Sequence, residues 1–302
     1  MLSREDIRPP QTRMLLAAGF LPISIDYRLC PETTLPGGPM ADVLDALAWA
    51  RNMLPQLQLR RPDVRADGDR VVAVGWSTGG HLALTLGFTA PALGIQPPDA
   101  TLAFYCPSDY EDPFWTRPNR PFGQARGEGL KYDLLEGVRD GPITAYNPPA
   151  KRHALGGWMS TADPRSRIAL HMNWTGRYLR VLLNGLPPAS AAGGEHAVNS
   201  DPTDLLPDPS LEQVQAVSPL AQIRQGKYRV PTFIVHGTKD DLIPWQQAVR
   251  TYDALREQGV PAEIRILDGA LHLFDLYKSS ESDESAKKAV SEGYEMLTRY
   301  MM

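Results

Sequence analysis

The chain has few cysteines and no large excess of charge of either sign. Only Cys30 and Cys106 occur in 302 residues, so the sequence offers no disulfide scaffold and no cysteine-rich metal cluster, and we expect reduced thiols. The formal net charge of −4 gives no basic surface of the kind that binds nucleic acid. No metal site and no nucleic-acid partner is therefore predicted.

Long hydrophobic runs are also missing. No apolar run approaches the roughly 20 residues that a membrane-spanning helix needs, and the first ten residues, MLSREDIRPP, lack the apolar centre of a secretory signal. We therefore expect a cytoplasmic protein without a membrane span. Hydrophobic residues make up 42% of the chain and charged residues 22%, which favours one large core and a single domain over residues 1–302.

Strand-like and helix-like segments alternate along much of the chain, which predicts an α/β fold with a mostly parallel sheet and helices on both faces. The predicted strands are 20–26, 71–74, 100–106, 230–236 and 262–267, and the predicted helices are 39–54, 79–88 and 286–301. The alternation stops between about 108 and 218, where proline, glycine and aromatic residues are frequent. We interpret this stretch as an inserted cap or lid.

A serine flanked by glycines follows a run of β-branched residues in the segment 71–81, VVAVGWSTGGH. Gly75, Ser77 and Gly79 have the spacing G-x-S-x-G, which by itself often occurs by chance. Its position between a predicted strand and a predicted helix favours a nucleophile elbow, a sharp turn that exposes the serine hydroxyl while the glycines let neighbouring backbone pass close. We therefore predict that Ser77 is a catalytic nucleophile.

A serine nucleophile needs a base and an acid, each expected after a later strand in the order serine, acid, histidine. The strand predicted at 230–236 leads into GTKDDLIP, which places Asp240 at its carboxyl end, with Asp241 as the alternative. The strand predicted at 262–267 leads into DGALHLF, a loop that can bring His272 over the serine. We predict Asp240 as the acid and His272 as the base.

The other five histidines have simpler interpretations. His81 falls within the helix after the elbow and is expected to pack or cap there, and His236 is expected to hydrogen-bond within its own turn. His153, His171 and His196 lie in the irregular insertion without an identifiable partner.

Large apolar side chains, most of them in the insertion, are candidates for the walls of an apolar acyl pocket. The segment 167–183, RIALHMNWTGRYLRVLL, has helical spacing of its large apolar residues, so it also fits a helix that only packs on the body. The candidates for substrate contact are Trp76, Trp115, Trp158, Met172, Trp174 and Tyr178.

Three segments together resemble a known family. DYRLCPE at 26–32, GWSTGGH at 75–81 and HGTKDDLIP at 236–244 resemble α/β-hydrolases of the hormone-sensitive-lipase type. LPISIDYRLCPE, AFYCPSDYEDPFW and HGTKDDLIPW are similar to the hydrolase found as a C-terminal releasing domain in fungal non-reducing polyketide synthases and in free-standing relatives. The resemblance covers nearly the whole chain.

The resemblance implies a serine hydrolase that cleaves an ester or thioester through an acyl-enzyme, without a cofactor. Its substrate would be a small acyl ester or a carrier-bound thioester, as in the release or tailoring of a polyketide. Ser77 would attack the carbonyl, His272 would transfer the proton, and Asp240 would hold the imidazole. The backbone N–H of Thr78 would donate to the oxyanion.

One feature of that family has no counterpart in this sequence. An H-G-G-G segment that supplies further oxyanion donors lies upstream of D-Y-R-L in the family, and this chain has none. We therefore expect the fold to lack its first three strands, leaving 20–26 and 71–75 without the strand that separates them. A synthase or a second chain would then complete the sheet.

Two other functions fit the same sequence. A noncatalytic α/β-hydrolase-like module, or an inactive fragment, would bind an apolar ligand or a synthase without using Ser77. A retro-Claisen hydrolase would use the same three residues to cleave a carbon–carbon bond, and product analysis would distinguish it.

Overall fold

The computed structural model describes residues 8–120, 135, 137–138, 144, 164–187, 201–276 and 283–301. The chain divides into two compact units, each described here by itself. The sheet unit comprises residues 7–25, 40–109 and 218–302, and the insertion unit is built mainly from 26–39 and 110–217. The segment 110–217 of the insertion unit nearly coincides with the insertion predicted at about 108–218. Its role as a cap remains a prediction.

Helices and strands alternate in the sheet unit. The strands are β1 (Ala73–Trp76), β2 (Thr101–Phe104), β3 (Thr232–Gly237) and β4 (Ala262–Leu267). In chain order, the α-helices of the described residues are α1 (Pro9–Ala17), α2 (Ala41–Asn52), α3 (Thr78–Ala92), α4 (Pro164–Thr175), α5 (Tyr178–Asn184), α6 (Leu211–Val217), α7 (Pro219–Arg224), α8 (Gln246–Glu257) and α9 (Glu284–Arg299).

The four strands found within the described ranges are parallel and lie in the order β1-β2-β3-β4. Gly75, Ala103, Ile234 and Ile264 are aligned across the sheet. Every residue of β2 and β3 is buried, whereas β1 and β4 are mostly half-buried, as expected for central and edge strands of a sheet flanked by helices. This confirms the predicted parallel α/β sheet.

The strand predicted at 20–26 is wrong. In this segment the apolar residues alternate with others, but Leu21, Ile23 and Ile25 are 41%, 46% and 38% exposed. Among the described residues no strand pairs with this segment or with the outer side of β1. A strand depends on a hydrogen-bonded neighbour as well as on its own sequence. The alternating pattern alone therefore predicted a strand that does not form.

Helix α1 was not predicted. It begins with Pro9 and Pro10, at positions where a helix has no use for the backbone N–H that proline lacks. Its side chain Gln11 is buried and accepts a hydrogen bond from the hydroxyl of Tyr294 in α9. The sequence of α1 is short and weakly periodic, so it gave little signal for a helix. In the structure this helix packs against α9.

The insertion unit contains α4, α5 and α6 together with short 3₁₀ turns at Pro113–Thr116 and Pro202–Leu205. The helical spacing predicted over 167–183 is divided between α4 and α5. Gly176 lies between them with φ of +69°, and a Cβ there would be 2.6 Å from the Thr116 carbonyl oxygen. None of the helices within the described ranges has the length and apolar character needed to cross a membrane.

The turn from β1 to α3 brings two backbones unusually close. A Cβ on Gly75 would lie 2.0 Å from the carbonyl oxygen of Gly79, and a Cβ on Gly80 would lie 2.7 Å from the Cβ of Cys106. A Cβ on Gly79 itself would meet nothing within 4 Å. The expected role of glycine in close packing therefore holds for Gly75 but was wrong for Gly79.

This difference predicts opposite effects for two identical substitutions. Gly75→Ala should lower the free energy of unfolding by about 3 kcal/mol or more, because the added methyl group overlaps backbone that cannot move freely. Gly79→Ala is the matched control and should be neutral or stabilising by up to about 1 kcal/mol, since alanine is the better helix residue. Urea unfolding followed by circular dichroism would measure both. Equal stability of the two variants would contradict the predicted overlap.

Candidate active site

Ser77 lies in the tight turn between β1 and α3. Its backbone has φ of 54° and ψ of −126°, a conformation that is strained for any residue with a side chain. The Ser77 N–H donates to the Phe104 carbonyl oxygen at 2.9 Å, and its own carbonyl accepts from the N–H groups of Gly80 and His81 at 2.9 and 3.2 Å. These bonds to β2 and α3 hold the strained turn in place.

His272 lies in the loop after β4 and is fully buried. Its Nε2 is 3.0 Å from Ser77 Oγ, and its Nδ1 is 2.7 Å from Asp240 Oδ2. Because the carboxylate can only accept, Nδ1 carries the ring proton, and Nε2 is left to accept from the serine hydroxyl. The structure thus brings Ser77, His272 and Asp240 into one chain of hydrogen bonds.

Asp240 lies directly after β3, where its side chain is surrounded by donors. Oδ1 accepts from the backbone N–H groups of Leu242 and Ile243 at 3.0 and 2.9 Å. Oδ2 accepts from His272 Nδ1 and, at 3.0 Å, from Nε2 of His236. Burial favours the neutral acid, but the two histidines and the hydrogen bonds outweigh it and hold the pKa of Asp240 well below its ordinary value. Asp240 therefore remains a carboxylate at neutral pH.

His236 is a site residue whose importance sequence reasoning underestimated. Its Nε2 lies 3.1 Å from the carbonyl oxygen of Ile243 and therefore carries a proton. The expected bond within its own turn is present, but the same nitrogen also reaches Asp240. His236 and Asp240 are four residues apart, and nothing in that spacing alone showed that both side chains point into the same buried space.

Asp241, the alternative acid, is not the carboxylate that accepts from His272 Nδ1; that acceptor is Asp240. Thr78 is the first residue of α3, so its backbone N–H has no acceptor within the helix. This N–H stands next to Ser77 at the positive end of the helix dipole, which favours negative charge.

Trp76 precedes Ser77 and packs within the sheet unit. Its ring is stacked on that of Phe104, with centroids 5.8 Å apart and planes 5° apart. The guanidinium carbon of Arg8 lies 4.4 Å from the centre of the Trp76 ring. A contact of Trp76 with substrate remains a prediction.

The other candidates for substrate contact belong to the insertion unit. Trp115 is 2% exposed, and its ring lies 5.0 Å from that of Tyr178. Trp174 is buried with Leu170, and Met172 is buried in a separate apolar cluster with Ile168. Their role in binding substrate also remains a prediction. Trp158 lies outside the described residues.

Two further histidines fall within the described residues and lie outside the hydrogen bonds that join Ser77, His272 and Asp240. His81 is buried in α3, and Nε2 of His171 lies 2.6 Å from Asp201 in the insertion unit. His153 and His196 fall outside the described residues. In the part of the chain that the structure describes, no three His, Cys, Asp or Glu side chains are grouped so that they could hold a metal ion.

The arrangement around Ser77 can support nucleophilic chemistry. A proton can pass from Ser77 Oγ to His272 Nε2 as the oxygen attacks, and Asp240 can stabilise the positive charge that then forms on the ring. The positive end of α3, which begins directly after Ser77, offers a backbone N–H donor for negative charge.

Two protein-family models match this chain. The model described as alpha/beta hydrolase fold matches residues 9–137, and that of the prolyl oligopeptidase family matches residues 198–299. Among solved structures, an α/β-hydrolase superfamily protein from Enterococcus faecalis has a TM-score of 0.60 at 13% identity, over 98% of this chain and 85% of that one. Carboxyl esterase 2 from Tuber melanosporum has a TM-score of 0.54 at 17% identity, over 98% and 72% of the two chains. At these identities the structures show the fold alone.

The sequence relatives are much more similar. The chain is 60% identical over 298 residues to the non-reducing polyketide synthase adrD of Penicillium rubens, and 58% identical over 304 residues to the 5-methylorsellinic acid synthase of Aspergillus terreus. These alignments cover 98% and 100% of this chain but only 12% of either synthase. The chain therefore has the α/β-hydrolase fold, and over nearly its whole length it is homologous to a segment of fungal non-reducing polyketide synthases.

Proposed function

We propose that this chain is a serine hydrolase that cleaves an ester or thioester through an acyl-enzyme on Ser77. The observation that carries the proposal is the continuous chain of hydrogen bonds from Ser77 Oγ through His272 to Asp240, with distances of 3.0 and 2.7 Å. Separate loops after three parallel strands supply these residues, at the sheet edge where open α/β sheets build their sites.

The first half of the reaction forms the acyl-enzyme. Ser77 Oγ attacks the acyl carbonyl carbon while its proton passes to His272 Nε2. The C–O or C–S bond to the leaving group then breaks, and His272 returns the proton to the departing oxygen or sulfur. In the second half, water or an alcohol repeats these steps and frees the acyl group from Ser77.

The tetrahedral intermediate carries a negative oxygen that needs donors. The backbone N–H of Thr78 is the donor proposed here, because it has no acceptor within α3 and lies next to the nucleophile. Losing one such donor in an enzyme of this kind typically lowers the rate about 100-fold to 1,000-fold.

The synthase relatives support a polyketide acyl group as substrate. They are 53–60% identical to this chain, and one of them is named for 5-methylorsellinic acid, a small aromatic acid. We propose that the acyl group is of this kind and that it arrives as a thioester on a carrier, in the context of a synthase, within the cytoplasm. No cofactor is required for such a step.

Labelling with a fluorophosphonate tests the nucleophile. The wild-type chain should take one adduct, and Ser77→Ala should take none. His272→Ala should react at least about 10³-fold more slowly, because no base remains for the serine proton. Intact-mass spectrometry would count adducts, and peptide mapping would locate them.

Two controls separate chemistry from folding. Ser291→Ala removes a hydroxyl that donates to Glu295 on the surface of α9, and His171→Asn removes a buried histidine with a carboxylate partner in the insertion unit. Both should label like the wild type once circular dichroism shows that they are folded. A folded wild type without an adduct would reject the active hydrolase and favour a noncatalytic binding module.

Neighbouring aspartates provide a matched test of the acid. Asp240→Asn should lower kcat/KM for a p-nitrophenyl ester by about 10⁴-fold, because an amide cannot hold the ring proton on Nδ1 in the same way. Asp241→Asn makes the same change one residue further on and should stay within about threefold of the wild type, as Asp241 does not hold that proton. A larger loss of kcat/KM in the Asp241 variant than in the Asp240 variant would show that Asp241, and not Asp240, is the acid.

The acyl group can be tested with a small thioester. The N-acetylcysteamine thioester of 5-methylorsellinic acid should be cleaved with release of free thiol, and Ser77→Ala should abolish the release. Thiol release would be followed with a chromogenic disulfide and the acid product by mass spectrometry. If the chain cleaves the p-nitrophenyl ester but not this thioester, the mechanism stands and the proposed acyl class does not.

A further inference from the structure

A second buried polar cluster lies next to the hydrogen-bonded chain of Ser77 and takes no part in the proposed reaction. It consists of Arg8, which precedes α1, Tyr105, which directly follows β2, and Asp275 in the short 3₁₀ turn Phe274–Leu276. The Arg8 and Asp275 side chains are only 5% and 3% exposed, and Tyr105 is fully buried. Burying so many polar groups is costly unless each one is paired.

The three side chains satisfy one another. Arg8 Nε donates to Asp275 Oδ2, and Arg8 Nη2 donates to the Tyr105 hydroxyl oxygen at 2.9 Å. The Tyr105 hydroxyl in turn donates to Asp275 Oδ1, and Gln11 Nε2 donates to Oδ2 at 2.8 Å. Burial and the nearby Asp275 raise the pKa of Tyr105 well above its ordinary value, so the phenol keeps the proton that it donates.

This cluster reaches both His272 and the serine turn. The Tyr105 ring packs edge-on against the imidazole of His272, with centroids 4.8 Å apart. Asp275 follows His272 by three residues, so the ion pair anchors the same loop. Arg8 also covers the ring of Trp76, the residue before Ser77.

Backbone strain occurs at the serine turn, at Tyr105 and in the loop of His272. Among the described residues, the positive-φ positions that are not glycine are Ser77 at 54°, Tyr105 at 36° and Leu273 at 59°. Such a conformation is unfavourable for a residue with a side chain, and strain of this kind persists where the surroundings hold it and where a site needs it. Ser77 is the proposed nucleophile and Leu273 adjoins the proposed base, whereas nothing in the reaction itself explains Tyr105.

We propose that Tyr105, held by Arg8 and Asp275, is a positioning residue that fixes the imidazole of His272 between Ser77 and Asp240. The inference rests on the proposed function, because the placement of His272 matters only if Ser77 is its partner in catalysis. The Tyr105 ring limits rotation of the His272 imidazole. The Tyr105 hydroxyl, bonded to Asp275, holds the tyrosine ring against the loop that contains His272. The cluster acts on the reaction through His272 and does not touch the substrate.

Removing one hydroxyl tests the role of Tyr105, and the chain offers a matched control. Tyr105→Phe keeps the ring and loses the bonds to Arg8 and Asp275. Tyr228→Phe makes the same change at another fully buried tyrosine of the sheet unit, whose hydroxyl lies 2.7 Å from Thr232 Oγ1. Both variants should lose some stability for the same reason.

The two variants should differ in catalysis. Tyr105→Phe should lower kcat for the p-nitrophenyl ester and the rate of fluorophosphonate labelling by about 10-fold to 100-fold with KM unchanged, because a small misplacement of a catalytic group is enough for such a loss. Tyr228→Phe should match the wild type. The low-field proton NMR signal of His272 Nδ1–H, assigned by its loss in Asp240→Asn, should broaden in Tyr105→Phe alone.

Asp275→Asn tests whether the cluster acts as a unit. It should cause a loss in kcat similar to that of Tyr105→Phe, and the double variant should lose little more, since both changes free the same ring. If the double variant instead shows the product of the two single losses in kcat, the two residues act independently, and the proposal that they anchor His272 as a unit is overturned.

The outcomes distinguish this inference from the proposed function. If the wild type takes no adduct, the proposed function fails. If the wild type reacts and Tyr105→Phe reacts equally fast with an unchanged NMR signal, the proposed function stands and the positioning role is overturned. Equal losses of kcat in Tyr105→Phe and Tyr228→Phe would show that Tyr105 only contributes to stability, as any buried tyrosine does.

Discussion

The hydrogen bond from His272 Nδ1 to Asp240 Oδ2 is the interaction on which the site depends. It joins the loops after β4 and β3, and it leaves Nε2 of the imidazole facing Ser77 after β1. A buried carboxylate would be unfavourable by itself, but four donors to its two oxygens keep Asp240 ionised. The parallel sheet makes this possible because it brings the carboxyl ends of its strands to one edge.

Close backbone packing and strain shape the other half of the site. Gly75 lets the start of α3 approach β1, and the turn between them holds Ser77 at a positive φ. The strained backbone at Tyr105 donates its N–H to the Val235 carbonyl of β3, and the loop that contains Leu273 is held by the buried ion pair of Arg8 and Asp275. The site thus rests on groups distributed from α1 to the loop after β4, which explains why a short motif cannot describe it.

Fold and function rest on different observations. Solved structures at 13–17% identity establish the α/β-hydrolase fold, which supports many kinds of chemistry. Identity of 53–60% relates the chain to segments of fungal polyketide synthases, although it spans only 12% of the relatives cited above. The chemistry itself is argued from side chains, above all from Ser77, His272 and Asp240.

The sequence by itself determined the parallel sheet, the four strands of the described residues, and the choice of Ser77, Asp240 and His272, which the structure brings together. Hydrophobic periodicity and chain order are local signals, and here they were strong. Tertiary structure decided the rest. Residues 20–26 form no strand because no strand of the described residues pairs with them. His236 reaches Asp240, and Tyr105 packs against His272, because separate strands end at the same edge of the sheet. The ion pair of Arg8 and Asp275 joins residues 267 positions apart. No local pattern encodes such a contact, since it exists only when the whole sheet unit has folded.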